Sequence, residues 1–253
     1  MGKAGPSEPS AIVLFTPALK ARSVQSAAKV RQRHWQPPEG FTPQDALSVI
    51  QAARCAPVCS HVDCERNELL LRVLWASGCR LSEALELTPR RVMADSLILP
   101  IYKNGFEPDG ARPLHRVFLP AGQADLPGAL LVWAMRHELA PTEPLFFATR
   151  HRGVPSRRPL KAITRNMGWQ LVKAASRRAG VLVLALRRSV DGSRGEPAPI
   201  HPHLFRHARA RHILRTTKSL PLVKRHLGHS QLQMAYLTIG DLEAREMIGS
   251  MAE

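Results

Sequence analysis

One stretch of the chain refuses a helical reading. "SLILPIYKNGFEPDGARPLHRVFLP", residues 96–120, sets two short β-like runs on either side of the turn-rich "NGFEPDGA", the pattern of an antiparallel hairpin. Around it the apolar segments repeat with the period of a helix. In "FTPQDALSVIQAAR" the stripe is Ala46, Val49, Ile50 and Ala53; Thr42 is placed to cap, Pro43 suits the first turn, and Asp45 stands where a capping-box carboxylate belongs. "ERNELLLRVLWASG" is apolar on most faces, which marks a buried helix, and Gly78 stops it. "PGALLVWAMRHEL", "LKAITRNMGWQLVKAASRRAG", the segment from His203 with Ala210, Ile213 and Leu214 on one side, "SLPLVKRHLG" and "DLEAREMIGSMA" read as further helices. "TRHRGVPSRRP" and "SVDGSRGEPAPI" read as loops, and "VLVLALRR" fits either period. The expected fold class is therefore mainly α with a small antiparallel β-sheet (α+β).

Residues 1–40 are rich in Pro, Ser, Ala and basic side chains and read as a flexible basic tail. That leaves one domain over residues 41–253, long enough to bury a core. Trp35, Trp75, Trp133 and Trp169 read as packing residues without chemistry. The net charge is +16, most of it from arginine, and such an excess favours a polyanionic partner, above all nucleic acid. No apolar run approaches the roughly 20 residues that span a bilayer, and "AIVLF" is too short for the core of a signal peptide. The expectation is a cytoplasmic, nucleoid-associated protein without a membrane partner. "CAPVCSHVDC" gathers Cys55, Cys59, His61 and Cys64; reduced thiols are the main reading and a small zinc knot the alternative.

Breaking a phosphodiester without a metal needs cations against the non-bridging oxygens, a nucleophile, and an acid for the departing sugar oxygen. Arginine suits the first task, because its planar fork matches two phosphate oxygens and stays protonated. Lysine or histidine supplies the proton. Tyrosine becomes a nucleophile when cations surround it. "GCRLSEALEL" puts Arg80 at a helix start, three residues before Glu83. "IYKNG" puts Lys103 at the hairpin tip. "HPHLFRH" spaces His203 and Arg206 for one helix face, and "HLGHS" sets His229 after a glycine turn, followed by Tyr236, one of two tyrosines in the chain.

In that order, these motifs resemble the series of the tyrosine recombinase (phage integrase) family, and the seventeen-residue step from His212 to His229 agrees with it. The resemblance covers about residues 41–240. It implies a catalytic domain in which Arg80 and Arg206 clamp the scissile phosphate, Lys103 protonates the leaving 5′-oxygen, and His203 takes the tyrosine proton or bonds the phosphate. His229 would bond a phosphate oxygen, Glu83 and His207 would brace the site, and Tyr236 would form a 3′-phosphotyrosine. Neither metal, ATP nor another cofactor is implied. Arg152, Arg157, Arg158, Lys161 and Arg209 are the expected DNA-gripping residues. The implied partners are double-stranded DNA, a second protomer on a core site and four in a synapse. The segment "DLEAREMIGSMAE" would pack on a neighbouring protomer.

Two departures stand beside the resemblance. Members commonly carry an amino-terminal helical clamp, and only about 40 residues precede the domain here, so a helper DNA-binding protein is a further expected partner. The family's nucleophile usually falls nine residues after the Gly-His histidine; Thr238 occupies that place, and Tyr236 comes at seven. Two residues on an uninterrupted helix mean about 200° of rotation and about 3 Å of rise. The alternative is accordingly a catalytically silent DNA-binding regulator on the same scaffold. A type IB topoisomerase would share the chemistry, but the Leu-Gly-His motif resembles recombinases more.

Overall fold

The first helix begins where its sequence seals it. In the computed structural model, which describes residues 41–55, 59–102, 112–150, 154–155, 159–184 and 197–228, Thr42 Oγ1 accepts from the Asp45 backbone N–H (3.1 Å) and Asp45 Oδ2 accepts from the Thr42 N–H (2.8 Å). This reciprocal cap opens α1, Pro43–Arg54, whose predicted stripe of Ala46, Val49, Ile50 and Ala53 is buried. Helix α2, His61–Ser77, is capped by Ser60 and ends at Gly78 in the left-handed region, φ 61°. It is buried on most faces and packs against α1 and the later helices α4, Leu126–Arg136, and α6, Pro202–Thr217. Between α2 and α4 come the five-residue α3, Leu81–Leu85, and the antiparallel pair β1, Ser96–Pro100, and β2, Leu114–Phe118, in the register Leu97 to Val117 and Leu99 to His115. Helix α5, Arg165–Arg178, lies on α1 and α3, and α7, Leu220–Leu227, lies on α6 and β2.

One hydrophobic core runs from Phe41 to Ala208 and draws on every helix from α1 to α6. A smaller cluster, Ala210, Ile213, Val223 and Leu227, holds α7 to α6. The mainly helical architecture with a small antiparallel sheet is as the periodicities require.

Three boundaries differ from the sequence reading. Helix α2 starts at His61, so "CAPVCSHVDC" runs into it: Ser60 supplies a cap that the apolar pattern alone does not reveal. Helix α5 starts at Arg165 because the residues before it bond alongside 146–148, with Ile163 N–H donating to Phe146 O (2.9 Å) and Ala148 N–H to Lys161 O (2.7 Å). The end of the presumed loop "SVDGSRGEPAPI" is a strand: β4, Pro197–Pro199, pairs with β3, Leu182–Leu184. Proline lacks a ladder donor and is tolerated because both strands of a two-stranded sheet are edges.

Cys55 and Cys59 are exposed free thiols and Cys64 is a buried one. Among the described residues no group of three or more His, Cys, Asp or Glu side chains could hold a metal ion. Among the described residues no helix is long and apolar enough to cross a membrane. The 1–40 tail with Trp35, the hairpin tip with Lys103, Arg152, Arg157, Arg158, His229, Tyr236, Thr238 and the last predicted helix lie outside the described residues.

Candidate active site

A single buried carboxylate organises the site. Arg80 is the residue before α3, and both its backbone N–H and its guanidinium donate to Glu83, at 2.7 Å each. Glu83 is 1% exposed. From far along the chain α6 brings Arg206, whose Nη1 stands 3.9 Å from Glu83 Oε2, the oxygen that accepts the Arg80 backbone N–H. Arg206 also donates to the carbonyls of Gly78 (2.7 Å) and Leu227 (2.8 Å). One side chain thus ties the end of α2 to the end of α7. The approach depends on Gly78, where a Cβ would lie 2.8 Å from Leu227 Cδ2 and 3.2 Å from Arg209 Cγ. Two guanidinium groups share one carboxylate, which leaves a net positive charge where burial strengthens attraction for an anion.

His203 leads into the same place from the first turn of α6. Burial, then the cations Arg165, Arg206 and Arg80, hold its pKa below the ordinary histidine value, with Glu83 opposing. The imidazole is neutral at pH 7 and able to accept a proton. His207, one turn on, is pushed down to about 3 by burial and by His203 and Arg206. Trp169 from α5 stacks on His201 (rings 5.2 Å apart, 2° between planes) and meets His203 edge to face at 6.4 Å. These groups border a cleft of about 30 Å³, room for a water molecule or two, lined by Arg80, Ser82, Arg165, Trp169 and His203 among others. A larger cavity of about 600 Å³ lies elsewhere, between α1, α2 and α4, and holds none of these residues.

His115 on β2 was not singled out by the sequence. Among the described residues its Nδ1 is buried without a hydrogen-bond partner. A Cβ on Gly228, the residue before His229, would lie 2.8 Å from its Nε2. The signal available was strand alternation: His115 shares the inward face of β2 with Val117. Arg165 and Trp169 carried a weaker signal, since nothing local to "TRNMGW" reports that the helix start abuts α3.

Tyr102 is engaged away from the arginines. Its hydroxyl donates to Glu86, and burial with that carboxylate pushes its pKa up to about 12, the reverse of the activation that phosphoryl transfer needs.

The structure brings Arg80, Glu83, His203, Arg206 and His207 together. Lys161 is exposed on the strand-like segment before α5. The expectation for Arg209 as a DNA contact is corrected: it is 6% exposed, its stem packs on the Gly78 turn and its guanidinium lies over Trp75, so it faces protein rather than solvent.

Comparison with known proteins bears on the fold and the family. Residues 41–238 match the phage integrase family model. The chain is 29% identical over 175 residues to tyrosine recombinase XerS of Streptococcus pyogenes serotype M5 (strain Manfredo), covering 68% of this chain and 41% of that protein. The chain therefore spans less than half the length of that relative. Among solved structures, the XerH site-specific recombinase in a post-cleavage complex with a palindromic difH substrate superposes with a TM-score of 0.59 at 19% identity, over 85% of this chain and 54% of that one. The XerA recombinase superposes with a TM-score of 0.57 at 16% identity, over 92% and 73% respectively. The motifs, the fold and the family match agree: the chain belongs to the phage integrase family, the tyrosine recombinases.

Proposed function

We propose that the protein is a site-specific DNA recombinase that cuts and rejoins DNA through a 3′-phosphotyrosine. The observation that carries this reading is the convergence of Arg80 and Arg206 on the buried carboxylate of Glu83, with neutral His203 beside them. In the reaction, the Tyr236 oxygen attacks the phosphorus and His203 takes its proton. Arg80 holds the non-bridging oxygens, and Arg206 joins it as the phosphate enters, with Glu83 fixing both and His207 buttressing His203. The bond to the 5′-oxygen breaks, and Lys103 protonates that oxygen as it leaves. His229 donates to a phosphate oxygen. A second 5′-hydroxyl reverses the steps on a new strand, and the phosphotyrosine link conserves the bond energy in between.

Double-stranded DNA is the proposed substrate, gripped by the basic segment with Arg152, Arg157, Arg158 and Lys161. The XerH relative was solved on a palindromic substrate. A palindrome is matched by two-fold related protomers, so a dimer on each core site and a tetramer in the synapse are proposed here too, with a helper DNA-binding protein supplying further grip. A cytoplasmic, nucleoid-associated location follows from the substrate.

The engagement of Tyr102 with Glu86 supports Tyr236 as nucleophile despite its short spacing from His229. Covalent capture tests it: the protein is expressed beside its native replicon, denatured, recovered, and the attached DNA sequenced. DNA at a discrete position that disappears with Tyr236→Phe and persists with Thr238→Val is expected. Salt-sensitive binding with no covalent DNA from the parent would replace this reading by the silent regulator.

A further inference from the structure

We propose that Arg165 is a further phosphate-binding residue of the active cleft, placed to hold the DNA phosphate next to the scissile one, across His203 from Arg80. The inference rests on the recombinase reading and extends it to a residue outside the motif series.

The placement comes from packing. The first turn of α5 lies directly on α3: a Cβ at Gly168 would stand 3.0 and 3.1 Å from the two methyl carbons of Leu81. Leu81 follows Arg80, so this contact sets the start of α5 beside the arginine that opens α3. Thr164 Oγ1 accepts from the Met167 N–H (3.1 Å) and fixes the turn that carries Arg165. Trp169, one turn on, stacks on His201 and meets His203 edge to face, and so holds the second wall of the cleft upright.

The charge pattern then points to an anion. Arg54, Arg66, Arg72, Arg80, Arg112, Arg116 and Arg136 each lie within 4.0 Å of a carboxylate oxygen. Arg165 lines the cleft and has no carboxylate partner among the described residues. It is exposed, and it is the largest charged influence on His203. Two arginines and a histidine face one small cleft, and the carboxylate there, Glu83, is already bonded to Arg80 and close to Arg206. A phosphate on Arg165, beside the scissile phosphate on Arg80, would neutralise this crowding. Successive phosphates of a strand lie several ångströms apart, a separation that two side chains on adjoining helix starts suit. The Ser82 hydroxyl and the Trp169 indole border the same space and can shape the fit of the sugar between the two phosphates.

The test uses the full chain and a duplex of mixed sequence, so it does not depend on knowing the target. Affinity is measured against salt for the parent, Arg165→Ala and Arg165→Lys. Each lost phosphate contact lowers the slope of log affinity against log salt by about one. Arg165→Ala is expected to lose about one unit of slope and Arg165→Lys to keep it. In parallel, the His203 ring is titrated by NMR with and without the duplex. Its midpoint is expected to rise in free Arg165→Ala, and Arg165→Lys is expected to restore it. Duplex is expected to raise the midpoint more in the parent than in Arg165→Ala. An unchanged slope in Arg165→Ala overturns the assignment, whatever His203 does, and so does an equal response of His203 to duplex in the two proteins. Failure of covalent capture by the parent would overturn strand cleavage instead and leave the slope to decide Arg165 on its own.

Discussion

Among the described residues three buried arginines meet three different environments. Arg66, 1% exposed, is held by Asp63 at 2.8 Å, by Asn67 and by the Phe147 carbonyl. Arg206 bonds two carbonyls and stands near Glu83. Arg209 meets an aromatic ring: its guanidinium is 5.7 Å from the centre of Trp75, its Nε has no hydrogen-bond partner among the described residues, and burial draws its pKa down to about 10. A cation–π contact recovers part of the cost of burying a charge and not the whole. Arg209→Met keeps the apolar stem and removes the charge, and it is expected to raise the melting temperature by several degrees, equivalent to about 1–3 kcal/mol. Arg206→Met, which strips two carbonyls and Glu83 of their partner, is expected to lower it. Thermal melts of both variants beside the parent decide this, and an Arg209→Met protein that melts below the parent refutes it. The sequence could not separate these residues. Both lie on one helix among other basic residues, and what distinguishes them is the missing Cβ of Gly78, against which the Arg209 stem packs and whose carbonyl Arg206 finds.

At the scale of elements, α6 and α7 with their flanks carry a set of histidines held neutral. Burial pushes His201 and His226 down to about 4 and His207 to about 3. His226 Nε2 lies 3.2 Å from the Ala76 carbonyl, so that nitrogen carries the proton and donates; Arg209, His115 and Arg206 around it further oppose a second proton. An unfolded histidine titrates near 6.5. Between that pH and the folded values the unfolded chain binds more protons, so stability rises with pH there. It is expected to be fully present above about pH 6.5 and to fall as the pH drops toward 4. Asp63, held below the ordinary carboxylate value despite its burial by bonds from Ser60 and Thr149 and by Arg66, acts in a lower window. Melting curves at pH 7.5, 6 and 5 should show the decline, and His226→Leu should flatten it; a melting temperature constant across those three values contradicts the reading. The helices and the hairpin were legible in the sequence because period and caps are local. Strand β4 was not, because three residues with two prolines have no period. The wall formed by Arg165 and Trp169 was not legible either, because it depends on Gly168 meeting Leu81 across more than eighty residues of chain.

For the whole molecule, charge and core divide differently along the chain. Six of the 36 Lys and Arg and two of the 20 Asp and Glu lie in residues 1–40, so +12 of the +16 net charge belongs to residue 41 onward. Among the described residues the core begins at Phe41, whose ring meets Phe205 edge to face at 5.3 Å. Thr42 and Asp45 close the start of α1 by a reciprocal cap. A chain of residues 41–253 is therefore expected to melt within a few degrees of the full protein, while Phe41→Ala within it loses a buried aromatic ring and about 3–5 kcal/mol. DNA affinity should respond in the opposite proportion. Removing six basic residues is expected to lower the salt slope for a mixed-sequence duplex, and the slope that survives measures the grip of residues 41–253. Side-by-side melts and salt titrations of the two chains make the comparison. A truncated chain that binds duplex as tightly as the parent at every salt concentration would place the grip wholly in the domain. One that no longer binds at all would place it in the first forty residues, and the +12 charge from residue 41 onward would need another explanation.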